Sequence, residues 1–327
     1  MPSRDGRTTM VVVNPNSANG RTGKSWPKVE EVLSSCLGEF DYRFTSGPAD
    51  ATGITADALD SGYTRIVVVG GDGTNNEVVN GWFGPDGRPR NPQAVLGLVP
   101  RGTGGDFRKT FGIGTRPESW ARVLSGNNVA EIDCGLATFE GPAGRTSRYF
   151  VNITSFGLGG LVDDRVNNST KVLGGTVSFA IGTLRALWRW RNQKVQLKVL
   201  GPEGESVFDG EQRIVNVAVA NGQYFGGGMW VAPGASCYDG LFDVVVLGDL
   251  TKAQVVLKTS SIYRGTHLRL DEVSVVRGSR VEASSDERVL IDMDGEQPGW
   301  LPATLEVVPA SIRLLVPEEW KRKRQGR

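Results

Sequence analysis
Through the first 130 residues, short runs of aliphatic and β-branched residues alternate with amphipathic stretches. Strands are predicted at residues 10–14, 41–45, 65–69 and 94–99, with helices near 26–37, at 49–59 and after Thr74. Strands and helices alternating at this spacing imply a parallel, doubly wound sheet, whose ligands bind where strand carboxyl ends meet helix amino ends. From about Val129 the pattern changes to closely spaced strands with few helices: 129–139, 148–154, 194–200, 214–220, 242–247, 273–276 and 288–293. That spacing predicts a mainly antiparallel β-sandwich. Two last strands, 304–308 and 311–316, are expected to return and close one of the sheets. The chain thus divides into an α/β domain over 1–130 and a β-rich domain over 131–327, with no internal repeat or low-complexity linker between them.

Length agrees with two domains, since 327 residues exceed one average domain. A net charge of +1 excludes wholesale nucleic-acid binding. Positive charge does gather at the end, in Lys321, Arg322, Lys323, Arg324 and Arg327. That tail reads as a solvated terminus, or as a weak electrostatic hold on anionic lipid. Cys36, Cys134 and Cys237 are odd in number and form no CxxC pair, which suits a reducing cytoplasm better than a disulfide framework or a zinc site. No apolar run approaches the roughly 18 to 20 residues needed to span a bilayer, and the amino terminus lacks the features of a signal peptide. His267 is the only histidine, so triad or His-metal chemistry would rest on one residue. It sits in a polar stretch and is expected at the surface.

The chemistry concentrates in glycine-rich turns. Residues 66–69 are a buried-type strand that delivers Gly70, Gly71, Asp72, Gly73, Thr74, Asn75 and Asn76 to a helix start. Missing side chains let backbone N–H groups approach an anion, and the helix dipole favours phosphate there. Asp72 would repel phosphates unless Mg²⁺ bridges them or the carboxylate takes a proton from an attacking hydroxyl. One βα unit later a second turn, Pro100-Arg101-Gly102-Thr103-Gly104-Gly105-Asp106-Phe107, repeats the combination of glycines, threonine and carboxylate. Two such turns on neighbouring strand ends would face one crevice. A competing signal, Ala18 to Ser25, fits the loose form of a P-loop. Its Lys24 lies far beyond the strand end at Asn14, and no lone Asp ends a separate strand to supply the second motif.

Together with Asn14-Pro15-Asn16-Ser17, the motif series Ser155 to Gly159, Asp239-Gly240 with Phe242-Asp243, and Asp294-Gly295-Glu296, these turns resemble the catalytic domain shared by diacylglycerol kinases, sphingosine kinases and bacterial lipid kinases. The resemblance covers nearly the whole chain. It implies that Asn14, Thr45, the turn from Gly70 to Asn76, and Thr103 hold ATP, that Asp72 binds the nucleotide's Mg²⁺, and that Asp106 helps organise metal or substrate. Glu296 would be the general base, which requires the second domain to fold over the first. A structural Mg²⁺ would fall on the Asp239 carboxylate with backbone oxygens of Ser236 and Leu241. One departure stands out: Gly105 replaces the family's usual Asn.

Residues 179–191 mix large apolar groups with three arginines, a pattern shared by membrane-facing helices and by helices packed on a core. The expected activity is ATP-dependent phosphorylation of a lipid hydroxyl, with diacylglycerol as first acceptor and a sphingoid base or another lipid alcohol behind it. The protein would work in the cytoplasm, peripherally attached to a membrane, with a homodimer as an open option. The rivals are a kinase of a soluble substrate related to NAD kinases, and a non-catalytic nucleotide or lipid sensor.

Overall fold
The computed structural model describes residues 8–102, 104–160 and 190–320. They divide into two compact units, one from the described residues of Met1–Ile132 and Ala310–Arg327, the other from Asp133–Pro309.

The first unit holds β1 (Thr9–Val13), α1 (Arg21–Leu37), β2 (Asp41–Phe44), α2 (Asp50–Asp60), β3 (Arg65–Gly70), α3 (Asp72–Trp82), β4 (Val95–Pro100), α4 (Phe107–Phe111) and α5 (Pro117–Ser125). Its strands lie in the order β4-β3-β1-β2, all parallel. Val11, Val12 and Val13 of β1 and Ile66, Val67 and Val68 of β3 are buried, as the central strands of a covered parallel sheet must be. Leu314, near the end of the last strand, pairs with Leu96 of β4 in parallel and extends this sheet. Helix α1 starts at Arg21, earlier than the periodicity suggests, and carries Pro27 inside it. The P-loop-like octapeptide is therefore partly helix, with Lys24 exposed on it.

The second unit takes in most of β5 (Val129–Gly141), then β6 (Gly144–Phe150), β7 (Ile153–Gly157), β8 (Gln193–Leu200), β9 (Ser206–Ile214), β10 (Asn216–Ala220), β11 (Phe242–Leu247), α6 (Lys252–Tyr263), β12 (Val273–Gly278), β13 (Arg280–Ser284), β14 (Leu290–Met293) and the start of β15 (Glu296–Leu315). One antiparallel layer runs β12-β11-β10-β7-β14, and β9-β8-β13-β15 forms a second ladder. Phe156, Val217, Val219 and Val244 from the first meet Val195, Leu197, Val281 and Leu305 from the second in one buried cluster, the core of a β-sandwich. The two predicted closing strands form one, because β15 runs unbroken through Pro309.

His267 is buried, not exposed. Its Nε2 meets the Val231 carbonyl at 2.9 Å, and burial pulls its pKa below the ordinary value. Among the described residues no helix is long and apolar enough to cross a membrane.

Candidate active site
Helix α3 begins at Asp72 directly after β3, so its first N–H groups and positive dipole end stand at the carboxyl edge of the parallel sheet. Gly70 is required there. A Cβ on it would lie 2.6 Å from Thr74 Oγ1, and Thr74 is itself fixed by the Asn14 amide, which donates to that oxygen at 2.9 Å. Asn14 thereby ties the end of β1 to the first glycine turn. Thr45 is buried just past β2 and donates its backbone N–H to Val13. Asn75 and Asn76 are buried in the first turn of α3, where Asn76 accepts from Asn80. Glu77 is engaged by α2: its two carboxylate oxygens accept the N–H groups of Ala49 and Ala51 at the start of that helix.

The two glycine turns converge. Arg101 donates its N–H to the Gly70 carbonyl at 2.7 Å, and a Cβ on Gly102 would lie 2.6 Å from Gly71 Cα. Asp72 Oδ2 accepts the backbone N–H of Asp106 at 2.9 Å, and Oδ1 that of Phe107 at 3.4 Å. Asp106 is buried and pairs through Oδ1 with Lys109 at 2.6 Å. A Cβ on Gly104 would sit 3.2 Å from Asp72 Oδ2 and 3.9 Å from Asp106 Oδ2, so both carboxylates border the same glycine cradle. Hard carboxylate oxygens in such a cradle fit Mg²⁺ carrying substrate phosphates. Thr103 lies outside the described residues.

The replacement of Asn by Gly105 has a local cause. Gly105 has φ +60°, and a Cβ on it would stand 2.8 Å from Arg108 Nε. Arg108 therefore fills the space a side chain at 105 would use, and donates through Nη1 to the Ile113 carbonyl at 2.8 Å. Arg101 and Arg108 both bury an Nε with no acceptor among the described residues, and burial pulls the Arg101 guanidinium below its ordinary pKa. Sequence reasoning passed over these two cations beside a turn suited to phosphate. Their local signal is their place in the glycine motif, Arg101 within it and Arg108 directly after it.

In the second unit, Glu296 opens β15 after the turn from β14. Its Oε2 accepts from Arg148 Nη2 at 3.1 Å, an ion pair between residues far apart in sequence. The turn is anchored by Asp294, whose carboxylate accepts the N–H groups of Val151, Asn152 and Ile153 at 3.0 to 3.1 Å. Asp292 accepts from Ser155 and from the N–H of Gly295. Buried acids thus set the backbone that presents Glu296.

The proposed structural metal position is different. Asp239 Oδ1 accepts the N–H of Leu241 at 3.2 Å, and Oδ2 is engaged by Arg277, which also bonds Asp243 at 2.9 Å. Burial raises the Asp243 carboxyl above its ordinary pKa, and Arg277 opposes that rise. A guanidinium already supplies the counter-charge that a cation would bring. Ser236 adds a buried hydroxyl with no hydrogen-bond partner among the described residues. Ser236, Asp239 and Leu241 thus offer Mg²⁺ a single carboxylate, which Arg277 already engages.

Residues 179–189 and the basic tail 321–327 lie outside the described residues, so their membrane reading has no structural counterpart. Trp190 is buried against Leu158, Val215 and Leu250.

Residues 8–137 match the diacylglycerol kinase catalytic domain, and residues 152–316 match the YegS C-terminal NAD kinase beta sandwich-like domain. The chain is 27% identical over 310 residues to the diacylglycerol kinase of Bacillus subtilis, covering 94% of this chain and 96% of that protein. Its fold is shared with the crystal structure of a diacylglycerol kinase from Bacillus anthracis, at TM-score 0.71 and 22% identity over 97% and 99% of the two chains. Yeast NADH kinase shares it more distantly, at TM-score 0.51 and 11% identity over 98% of this chain and 87% of that one. With a catalytic-domain match over the glycine turns and a second match over the β-sandwich, the chain belongs to the diacylglycerol kinase and YegS-like family and is a lipid kinase.

Proposed function
We propose that the protein transfers the γ-phosphoryl group of ATP to the primary hydroxyl of diacylglycerol, giving phosphatidic acid, at a membrane surface to which it binds peripherally. The observation that carries this reading is the joined pair of glycine turns, in which the Asp72 carboxylate holds the backbone of the second turn at the amino end of α3. A helix terminus, two close-packed glycine backbones and two carboxylates suit a triphosphate with its cation.

In the proposed reaction the N–H groups of the first turn and of α3 bind phosphate oxygens, and Arg101 with Arg108 adds positive charge beside them. Asp72 and Asp106 would hold Mg²⁺, which when bound neutralises charge on the phosphates. Glu296 accepts the proton of the lipid hydroxyl as it attacks, and Arg148 keeps one carboxylate oxygen oriented. Close-packed turns also limit water, which would otherwise compete for the phosphoryl group.

The test is transfer of label from γ-labelled ATP to a panel holding diacylglycerol, a sphingoid base, a monoacylglycerol, and NAD as soluble acceptor. Label in phosphatidic acid at the highest kcat/KM is the expected result. Preferred labelling of a sphingoid base would move the acceptor while keeping the enzyme class. Labelling of NAD alone would defeat the proposal.

A further inference from the structure
Helix α6 has a property that a packed helix lacks: none of its residues is buried. It is nevertheless well formed. Thr251 caps it with both halves of a capping box, its hydroxyl accepting from the Gln254 N–H while the Gln254 side chain accepts from the Thr251 N–H. At 100° per residue, Lys252, Ala253, Val256, Leu257, Ser260, Tyr263 and Arg264 share one arc of about 140°, and every one of them is exposed. Leu257 is 79% exposed, Val256 52% and Tyr263 49%, three of the few large hydrophobics left open among the described residues. The opposite side attaches the helix, through Val255 against the Leu158–Trp190 cluster and through Gln254 and Lys258 to Glu272.

The charges around this face point to one kind of partner. From Thr251 to Leu270 the chain carries Lys252, Lys258, Arg264 and Arg269 and no Asp or Glu. Lys258 is neutralised by Glu272 at 2.6 Å, and the nearest other acids are Asp249, two residues before the segment, and Asp271, just beyond it. Lys252 and Arg264 flank the apolar residues on the exposed arc itself. Apolar side chains between cations on one face of a capped helix match an anionic bilayer, where tails take the apolar groups and headgroup phosphates meet the cations.

We propose that α6 is a membrane-docking helix that lies in the headgroup region of an anionic bilayer, with Val256, Leu257 and Tyr263 inserted and Lys252 and Arg264 on phosphates. The inference rests on the reading that the acceptor is a bilayer lipid, and it places the docking surface outside the segments that the sequence suggested for it.

The test compares wild type, Leu257→Glu, and Lys252→Ala/Arg264→Ala by sedimentation with vesicles of phosphatidylglycerol and phosphatidylcholine, and with phosphatidylcholine alone. None of these side chains is buried, so all three proteins should share a melting temperature. Leu257→Glu should lose tenfold or more in binding to the mixed vesicles. The double variant should lose roughly 5-fold per cation removed, with wild-type affinity falling as salt rises. Turnover of long-chain diacylglycerol in vesicles should fall in parallel, while turnover of a monomeric short-chain diacylglycerol stays at the wild-type value. Wild-type binding by Leu257→Glu would overturn the proposal. So would light scattering that shows a dimer broken by Leu257→Glu with vesicle binding intact, since a second copy would then cover this face. If no lipid is phosphorylated yet α6-dependent vesicle binding persists, docking stands and the acceptor reading falls.

Discussion

Replacing Gly102 with Ala probes the contact between the two glycine turns. The added Cβ would lie 2.6 Å from Gly71 Cα, against the 3.4–4 Å of ordinary contact, so the turns must part by about 1 Å. Neither atom belongs to a side chain that could rotate away. Overpacking of this kind costs about 1 to 3 kcal/mol, and the exposure of Gly102 favours the low end. For a unit of this size, 1 kcal/mol corresponds to roughly 2 to 4 °C in Tm. The effect on phosphate binding should be larger, because a 1 Å misplacement of a positioning element costs on the order of 10² in rate. Gly102→Ala should therefore lower Tm by a few degrees, and kcat/KM for ATP about a hundredfold. Gly53→Ala is the control: its Cβ would meet nothing within 4 Å, inside α2. It should stabilise by about 0.5 to 1 kcal/mol and leave activity alone. The assays are thermal unfolding and initial rates against ATP. Wild-type ATP kinetics in Gly102→Ala would refute the idea that the turns work as a joined pair.

Three further outcomes follow from other contacts. Asp294→Ala strands three buried N–H groups and should cost about 3 kcal/mol or more in unfolding free energy, with turnover falling as the Glu296 turn loosens; a stable, fully active variant would show that the carboxylate anchors nothing. His267 has a depressed pKa in the folded state, so the unfolded chain binds more protons below about pH 6.5. Its contribution is intact above that pH and is lost as pH falls through the folded pKa, so His267→Gln should flatten the acid side of the stability profile, and an unchanged slope there would contradict the assignment. Without nucleotide, Mg²⁺ should shift the Tm of wild type and Asp239→Ala equally, because Arg277 already neutralises that carboxylate; a Mg²⁺ stabilisation lost only in Asp239→Ala would place a metal there.

The alternating part of the fold was legible because the buried parallel strands are short, mostly aliphatic runs, as in residues 66–69, each closed by a turn signal: Asn14-Pro15 after β1, Gly70-Gly71 at the end of β3, and Pro100 with Gly102 at the end of β4. Elsewhere local pattern misled. Residues 148–154 read as one strand but form two, since the N–H groups of Val151, Asn152 and Ile153 turn to Asp294 and leave the ladder. Strand β9 went unread because, after Val207 and Phe208, the run Asp209-Gly210-Glu211-Gln212-Arg213 shows no apolar alternation before Ile214. Helix α6 went unread because Val255, Val256 and Leu257 look like a strand, and its helicity depends on the Thr251 cap and on contacts with Glu272. In the site, the glycine turns and their acids were visible as motifs. In the second unit the cations that face Glu296 and Asp239, Arg148 and Arg277, could not be assigned from sequence, because their partners lie far along the chain and are brought near only by antiparallel pairing.

The central claim, that this lipid kinase uses Glu296 to take the proton of its acceptor, is tested most directly by the turnover of Glu296→Gln on diacylglycerol at saturating ATP. The glutamine oxygen can still accept from Arg148, so the fold and ATP affinity should be kept. Turnover should fall by about 10² to 10⁴, the usual worth of general-base assistance. Turnover at the wild-type rate would contradict the account and pass the base role to Asp72 or to no residue at all.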